Sequence, residues 1–357
     1  MKNFEVASYR KNYRVEFSEN VSATLNNELR EGDWVFIDEN VRELYSDSLE
    51  GIISNFNVVE IMPVESSKSF DGVRPLILQL IEGDFKKNNR RMAIGGGITQ
   101  DVTAFIASIL YRGVDWIFFP SNLLSQCDSC IGSKTSINFE AYKNQLGGFF
   151  PPAKIYISTD FLKTLDDSEI CLGLGEMAHY FLVENEDAFS RYESGVDDAL
   201  KRGPSLNRLI FESLEIKKNM IELDEFDEGP RNIFNYGHSF GHAIEGYTKY
   251  SIPHGIAVSY GMDMANSVSV QLGLLDDEIR LRISKTLRKV RRQTQFPDID
   301  IDVYLNYLKK DKKNLSTGIR LILTKGFGDM FLTTVDADDS FRSVVEECFT
   351  NFQQENV

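Results

Sequence analysis

The chain has 357 residues, 42% of them hydrophobic and 26% charged, and a formal net charge of −15. That length implies about two domains and a sizeable core, no apolar stretch approaches the roughly 20 residues of a membrane span, and the acidic balance opposes non-specific attraction to nucleic acid. The opening MKNFEVASYRKNYRV is charged where a secretory signal needs an apolar core, so the expected location is the cytoplasm. In chain order, Trp34 to Asp38, Val58 to Met62, Arg91 to Ile94, Trp116 to Phe119 and Ile155 to Ile157 read as strands. Between the third and fourth, Asp101 is the expected N-cap of a helix carrying Val102, Phe105, Ile106, Ile109 and Leu110, and Gly113 its stop. Beyond Asp160 the pattern becomes helical, with Asp166 and Glu169 as a capping box and periodic segments from about 167, 205, 237, 256 and 276. The expected architecture is an α/β domain with a mostly parallel, Rossmann-like sheet over 1–160, followed by an all-α domain over 161–357.

The chemistry-bearing residues fall into three groups. Gly95, Gly96 and Gly97 follow a strand and open onto a helix, so their amides could approach a pyrophosphate. Gln100 breaks the G-x-G-x-x-G pattern, however, and a tight structural turn reads equally well. Asp38, ending the first strong strand, suits either a ribose hydroxyl or a turn. Second, the four histidines all lie between 179 and 254. Glu176 and His179 interrupt an apolar stripe with Leu172 and Val183, where unpaired burial would cost several kcal/mol. His238 and His242 share a face with Asn235 and Glu245, and His254 precedes an apolar helix. A carboxylate with two or three imidazoles is the ligand set of a catalytic zinc with an open position, and His242 is as eligible as the others. Third, Asp128, Lys134, Lys143 and Asn144 fall in a stretch expected to be loop-rich after the fourth strand, and either Lys217 or Lys218 begins within an apolar helical stripe. Cys127 and Cys130 form the one CxxC; lacking a cationic neighbour in sequence, they read as small buried fillers. The basic run Arg280 to Arg292 reads as a solvated helix face.

These residues stand within longer motifs: GGGITQD, YRGVDWIFFPSNLLSQCDSCIGSK, YKNQLGGFFPP, STDFLKTL, GEMAHY, PRNIFNYGHSFGHAIE, HGIAVSYGM and KKDKK, between about Pro63 and Phe327. In order and spacing the set resembles the 3-dehydroquinate synthases of the sugar phosphate cyclase superfamily. The resemblance implies zinc, or cobalt in its place, on Glu176, His238 and His254. It moves His242 to the substrate. It implies an NAD site at Asp38, Glu65, Lys68, Gly95, Gly96, Gly97, Asp101, Ser121, Asn122, Lys134 and Lys143, with Ser121 and Asn122 standing where the family usually has threonines. The implied substrate residues are Asp128, Lys134, Lys143, Asn144, His179, Lys217, Arg231, Asn235, His242 and Lys312, with Arg112 reaching into the second subunit of a homodimer.

The implied reaction is the cyclisation of 3-deoxy-D-arabino-heptulosonate 7-phosphate to 3-dehydroquinate with phosphate release, a lyase reaction of the shikimate pathway in which the NAD hydride is borrowed and returned. The local lysine and arginine cluster suits an anionic sugar phosphate. One position departs from the family: GEMAHY carries His179 where lysine is usual. That exchange alters reach and charge and leaves open another cyclase, acting on sedoheptulose 7-phosphate or an amino analogue. A metal-dependent alcohol dehydrogenase would share the glycine turn and the histidines but has no use for the lysine cluster.

Overall fold

The computed structural model describes residues 2–140, 142–309 and 318–355. The chain divides into two compact units, Met1–Leu165 with Lys217–Phe226, and Asp166–Ile216 with Asp227–Val357.

The first unit contains β1 (Phe4–Val6), β2 (Tyr13–Phe17), α1 (Val21–Glu28), β3 (Trp34–Asp38), α2 (Glu39–Leu44), α3 (Ser46–Asn55), β4 (Asn57–Ile61) and α4 (Phe70–Glu82). It continues through β5 (Arg91–Gly95), α5 (Gly97–Ile109), β6 (Trp116–Pro120), β7 (Lys134–Phe139), β8 (Tyr142–Phe149) and β9 (Lys154–Ile157). Seven strands form one sheet in the order β1-β2-β9-β6-β5-β3-β4, parallel except for the β1–β2 pair. β3, β5 and β6 are buried throughout, which is why they read as near-continuous apolar runs. Their side chains still alternate between faces. Val35, Ile37, Met92, Ile94 and Phe119 pack with Leu25, Leu49 and Ile52 on one side. Trp34, Phe36, Val102, Phe105 and Ile106 pack together on the other.

Three local expectations give way here. β1 and β2 were not anticipated, because they are short and only Val6, Tyr13 and Val15 are buried. Asp101 does not cap α5: the chain turns at Gly96 directly after β5, and the helix starts at Gly97. Lys134, Lys143 and Asn144 lie on an antiparallel hairpin, β7–β8, rather than in a loop. Almost all of β8 is exposed, so no burial pattern marks it as a strand.

The second unit is helix-rich: α6 (Asp167–Glu184), α7 (Glu186–Ala199), α8 (Pro204–Leu223, whose last residues group with the first unit), α9 (His238–Tyr247), α10 (His254–Gln271), α11 (Asp277–Arg291), α12 (Ile301–Lys309) and α13 (Asp339–Gln354). It is not all-α, because β10 (Ile319–Thr324) and β11 (Met330–Val335) form an antiparallel hairpin around the turn at Gly326 and Gly328. Asp166 sits at the N-cap of α6, but its side chain makes no capping hydrogen bond; Asp167 and Glu169 in the first turn complement the helix dipole instead. The basic run on α11 is only partly solvated. Arg291 is 1% exposed, with its guanidinium 2.7 Å from Asp263 on α10 and 3.3 Å from Glu355. It ties α10 and α11 to the end of the chain, and removing one partner of such a buried pair costs about 3 to 5 kcal/mol.

Both tryptophans, Trp34 and Trp116, lie in the first unit, so their fluorescence follows the unfolding of that unit. Phe36→Ala, at a fully buried central position, should destabilise that transition by about 3 to 5 kcal/mol. An unchanged urea midpoint by tryptophan fluorescence would contradict this placement of the core.

Candidate metal centre and nucleotide-binding residues

α6, α9 and α10 approach so closely that glycine is needed where they meet. A Cβ on Gly175 would come within 2.5 Å of the Gly255 carbonyl oxygen, a Cβ on Gly255 would collide with the Leu172 carbonyl, and one on Gly261 with that of Gly237. Backbone contact of this kind sets the helices side by side with little room for adjustment. It brings Glu176 from the middle of α6, His238 from the first residue of α9 and His254 from the first residue of α10 into one cluster, with a ligand atom of each within 4.8 Å of the others.

Hydrogen bonding fixes how these groups face each other. His238 Nδ1 lies 3.2 Å from the Tyr236 carbonyl, which only accepts, so Nδ1 carries a proton and, in the neutral ring, Nε2 offers a lone pair. His254 Nδ1 lies 3.1 Å from Glu245 Oε2, with the same consequence. The two Nε2 atoms point at Glu176, at 3.3 Å from Oε1 and 3.4 Å from Oε2. Glu176 is 2% exposed, and among the described residues its Oε2 receives no hydrogen bond. Burial opposes ionisation of Glu176, but His254, His238 and His179, in their protonated forms, outweigh it and hold its pKa below the usual carboxylate range. Burial likewise opposes the charge on Glu245, and the His254 hydrogen bond brings its pKa below the ordinary value.

When both imidazoles are neutral, as metal ligands must be, three acceptors face one another around the buried carboxylate. That arrangement is unfavourable unless a cation lies between them. Two ligands roughly 2.0 to 2.2 Å from one ion at a tetrahedral angle stand about 3.3 to 3.6 Å apart, the range in which each nitrogen stands from its nearer carboxylate oxygen. The N₂O donor set suits zinc in a site with an open fourth position.

His179 is 1% exposed; its Nδ1 lies 2.5 Å from the Glu176 carbonyl and 3.6 Å from Oε1 of the same residue. His242 is exposed, its ring stacked 5.7 Å from that of His254. Arg231 is buried, and Asn235 donates to the Asn232 carbonyl at 2.9 Å.

In the first unit, Lys68 links Asp101 of the expected nucleotide set to Asn144 of the expected substrate set: its Nζ lies 2.6 Å from Asp101 Oδ2 and 2.6 Å from Asn144 Oδ1. Asp101 also accepts from the Ser136 amide at 3.2 Å, and burial pushes its carboxyl above the usual value despite Lys68. Glu65 accepts from Asn138 at 2.7 Å, and Asn138 in turn accepts from the Asn144 amide at 2.9 Å. Ser136 and Asn138 carry no motif and went unnoticed in the sequence; alternation along β7 was the available signal. Gly96 follows β5 and stands at the N-cap of α5, and a Cβ there would meet the Asn122 side chain at 2.6 Å. Ser121 donates its amide to the Gly95 carbonyl. Asp38 caps α2, accepting from the Asn40 amide at 2.9 Å and the Val41 amide at 3.3 Å.

Of the two adjacent lysines, Lys217 is the buried one, donating at 2.6 Å to both the carbonyl and the carboxylate of Asp128. Lys218 pairs with Glu222. Lys134 and Lys143 are exposed on the hairpin, and Arg112 is exposed on a turn where Tyr111, Arg112 and Gly113 all have positive φ. Lys312 lies outside the described residues. Cys127 and Cys130 are buried thiols, and burial pushes Cys130 up to about 12, far from thiolate reactivity.

Residues 58–171 match the 3-dehydroquinate synthase N-terminal family model and residues 173–314 the 3-dehydroquinate synthase C-terminal model. The 3-dehydroquinate synthase of Clostridium tetani is 35% identical over 295 residues, covering 82% of this chain and 79% of that protein. The one from Sulfurovum sp. is 36% identical over 301 residues, 84% and 83% of the two chains. Among solved structures, 2-deoxy-scyllo-inosose synthase, complexed with carbaglucose-6-phosphate, NAD⁺ and Co²⁺, superposes with a TM-score of 0.87 at 22% identity over 98% of this chain and 100% of that one. The 2-epi-5-epi-valiolone synthase of Streptomyces hygroscopicus, with NAD⁺ and Zn²⁺ bound, gives 0.86 at 22% identity over 97% and 99%. An iron-containing alcohol dehydrogenase gives only 0.61 at 14% identity, over 95% and 97%. The chain belongs to the 3-dehydroquinate synthase family, a family of lyase-type cyclases.

Proposed function

We propose that the protein is an NAD- and zinc-dependent cyclase that converts 3-deoxy-D-arabino-heptulosonate 7-phosphate to 3-dehydroquinate and phosphate, in the cytoplasm and as a homodimer. The observation that carries this reading is the convergence of the Glu176 carboxylate with Nε2 of His238 and of His254 in a chain of this family. When bound, NAD⁺ takes up and returns a hydride and the divalent cation acts as a Lewis acid.

The chain's own residues supply binding and orientation. Glu176, His238 and His254 hold the cation, with the fourth position left to substrate. Lys68, Asp101 and the Gly95–Gly97 turn serve NAD⁺, with Asp38, Glu65, Ser121 and Asn122 around them. Lys134, Lys143, Lys217 and Lys312 serve the phosphate end and Arg231 the carboxylate, because guanidinium matches a carboxylate in bidentate fashion. Asp128 fixes the Lys217 ammonium; Asn144, Asn235 and His242 bond the substrate's hydroxyls. Arg112 is assigned to the second subunit's substrate. Holding a flexible chain so that its ends meet is the protein's main contribution to ring closure.

A second reading is favoured by His179. A buried imidazole whose Nδ1 is spent on the Glu176 carbonyl has neither the reach nor the fixed charge of the lysine usual there, and a cyclase of sedoheptulose 7-phosphate or of an amino analogue would have less use for that charge. Phosphate release should be measured with wild type and His179→Lys on the seven-carbon keto acid phosphate and on sedoheptulose 7-phosphate. The leading reading expects turnover of the acid by wild type, kept or raised in the variant, with no net NADH. Turnover of the sugar alone would establish the second reading, and steady NADH accumulation would point to a dehydrogenase.

Two further outcomes follow. His254→Ala should lose bound zinc and turnover together; full zinc stoichiometry in that variant would remove the ligand assignment. Gly96→Val and Asp101→Ala should each weaken NAD⁺ binding at least about tenfold, roughly 1.4 kcal/mol, in equilibrium titration. Unchanged affinity in both would make the turn purely structural.

A further inference from the structure

Of the three proposed ligands, His254 is the least restrained by packing. Its side chain is 32% exposed, against 13% for His238 and 3% for Glu176. It also stands at the first residue of its helix, after Pro253. A ring this open holds one rotamer only if a hydrogen bond selects it, since side-chain entropy opposes the choice. His238 obtains its restraint from a neighbouring carbonyl, that of Tyr236. His254 obtains it from Glu245, nine residues earlier on α9, whose Oε2 lies 3.1 Å from Nδ1. The chain is folded back to permit this: Lys249 and Tyr250 both take positive φ, and the Tyr250 amide donates to the Glu245 carbonyl at 2.9 Å. Glu245 thus closes the α9–α10 turn with its backbone and meets His254 with its side chain.

Resting on the metal assignment above, we propose that Glu245 is a positioning residue that holds His254 in the Nδ1-protonated tautomer, with Nε2 aimed into the cluster. Glu245 does not itself touch the ion in this account. Its carboxylate removes the rotational freedom of the ring and raises the basicity of Nε2, the two effects expected of a carboxylate behind a ligating imidazole. The alternative is that Glu245 is a ligand, since His242, Glu245 and His254 also bring their donor atoms within 4.8 Å of one another. The hydrogen bond argues against it, because Nδ1 of His254 cannot both donate to Glu245 and bind a second ion.

The test uses the full chain and does not depend on activity. Zinc stoichiometry and affinity are measured by chelator competition for wild type, Glu245→Gln, Glu245→Ala and Glu176→Gln, with the visible absorption of the Co²⁺ forms and the thermal midpoints of the metal-free forms. Wild type should bind one ion per chain. Glu245→Gln, which keeps an acceptor but not the charge, should bind about tenfold more weakly, and Glu245→Ala towards a hundredfold. Both should shift the Co²⁺ bands while the metal-free Glu245→Gln form melts with wild type. Wild-type affinity in Glu245→Ala would overturn the proposal. So would two ions per chain in wild type with one lost in Glu245→Ala, which would make Glu245 a ligand. An affinity unaffected by Glu176→Gln would overturn the metal assignment itself, and this inference with it.

Discussion

The second unit is organised around one buried carboxylate. Glu176 sits in the middle of α6, a helix buried on all sides from Gly173 to Val183, where an isolated charge would be untenable. The fold meets it with imidazoles from α9 and α10, and those helices can come near enough only because glycines at 175, 255 and 261 let backbone lie against backbone. Each imidazole has its outer nitrogen satisfied by an oxygen acceptor, so the inner nitrogens present lone pairs to the carboxylate. The unit has built a set of electron-pair donors whose mutual repulsion a divalent cation would relieve.

The first unit solves a different problem. Its strand β5 ends at Gly95 and the chain turns at Gly96, leaving the start of α5 close to the C-terminal ends of the parallel strands, where folds of this class take their ligands. The side chains beside that turn are bound to each other rather than to the core. Lys68 bridges Asp101 and Asn144, and Asn138 bridges Glu65 and the Asn144 amide. Satisfied polar networks hold their members in one geometry, and the strands and helices that carry them are fixed by the apolar layers on either side of the sheet.

The central strands were legible because buried parallel strands are apolar throughout, and α6, α8, α9, α10 and α11 because their apolar periodicity runs over ten residues or more; the sequence does not single out α7, α12 and α13. What escaped had no such mark. β8 is exposed along most of its length, and the β10–β11 hairpin lies between helical segments that set the expectation for the whole region. Arg291 reads as a surface cation in the sequence because the partners that bury it, Asp263 and Glu355, are far off along the chain. Among the site residues, side-chain type and helical spacing brought Glu176 and the histidines into view, but spacing alone could not separate His242 from His254; that choice came from the family resemblance. Glu245 was visible only as a face-mate of His242, and its contact with His254 depends on a turn with two positive-φ residues that nothing in the sequence announces.

The most direct test is a crystal structure of the protein loaded with Co²⁺ or Zn²⁺, with anomalous difference maps collected on either side of the metal edge. The account predicts one strong peak per chain, bonded to Glu176, His238 Nε2 and His254 Nε2, with His254 Nδ1 still on Glu245. A peak on His242 and Glu245, or none at Glu176, would contradict it.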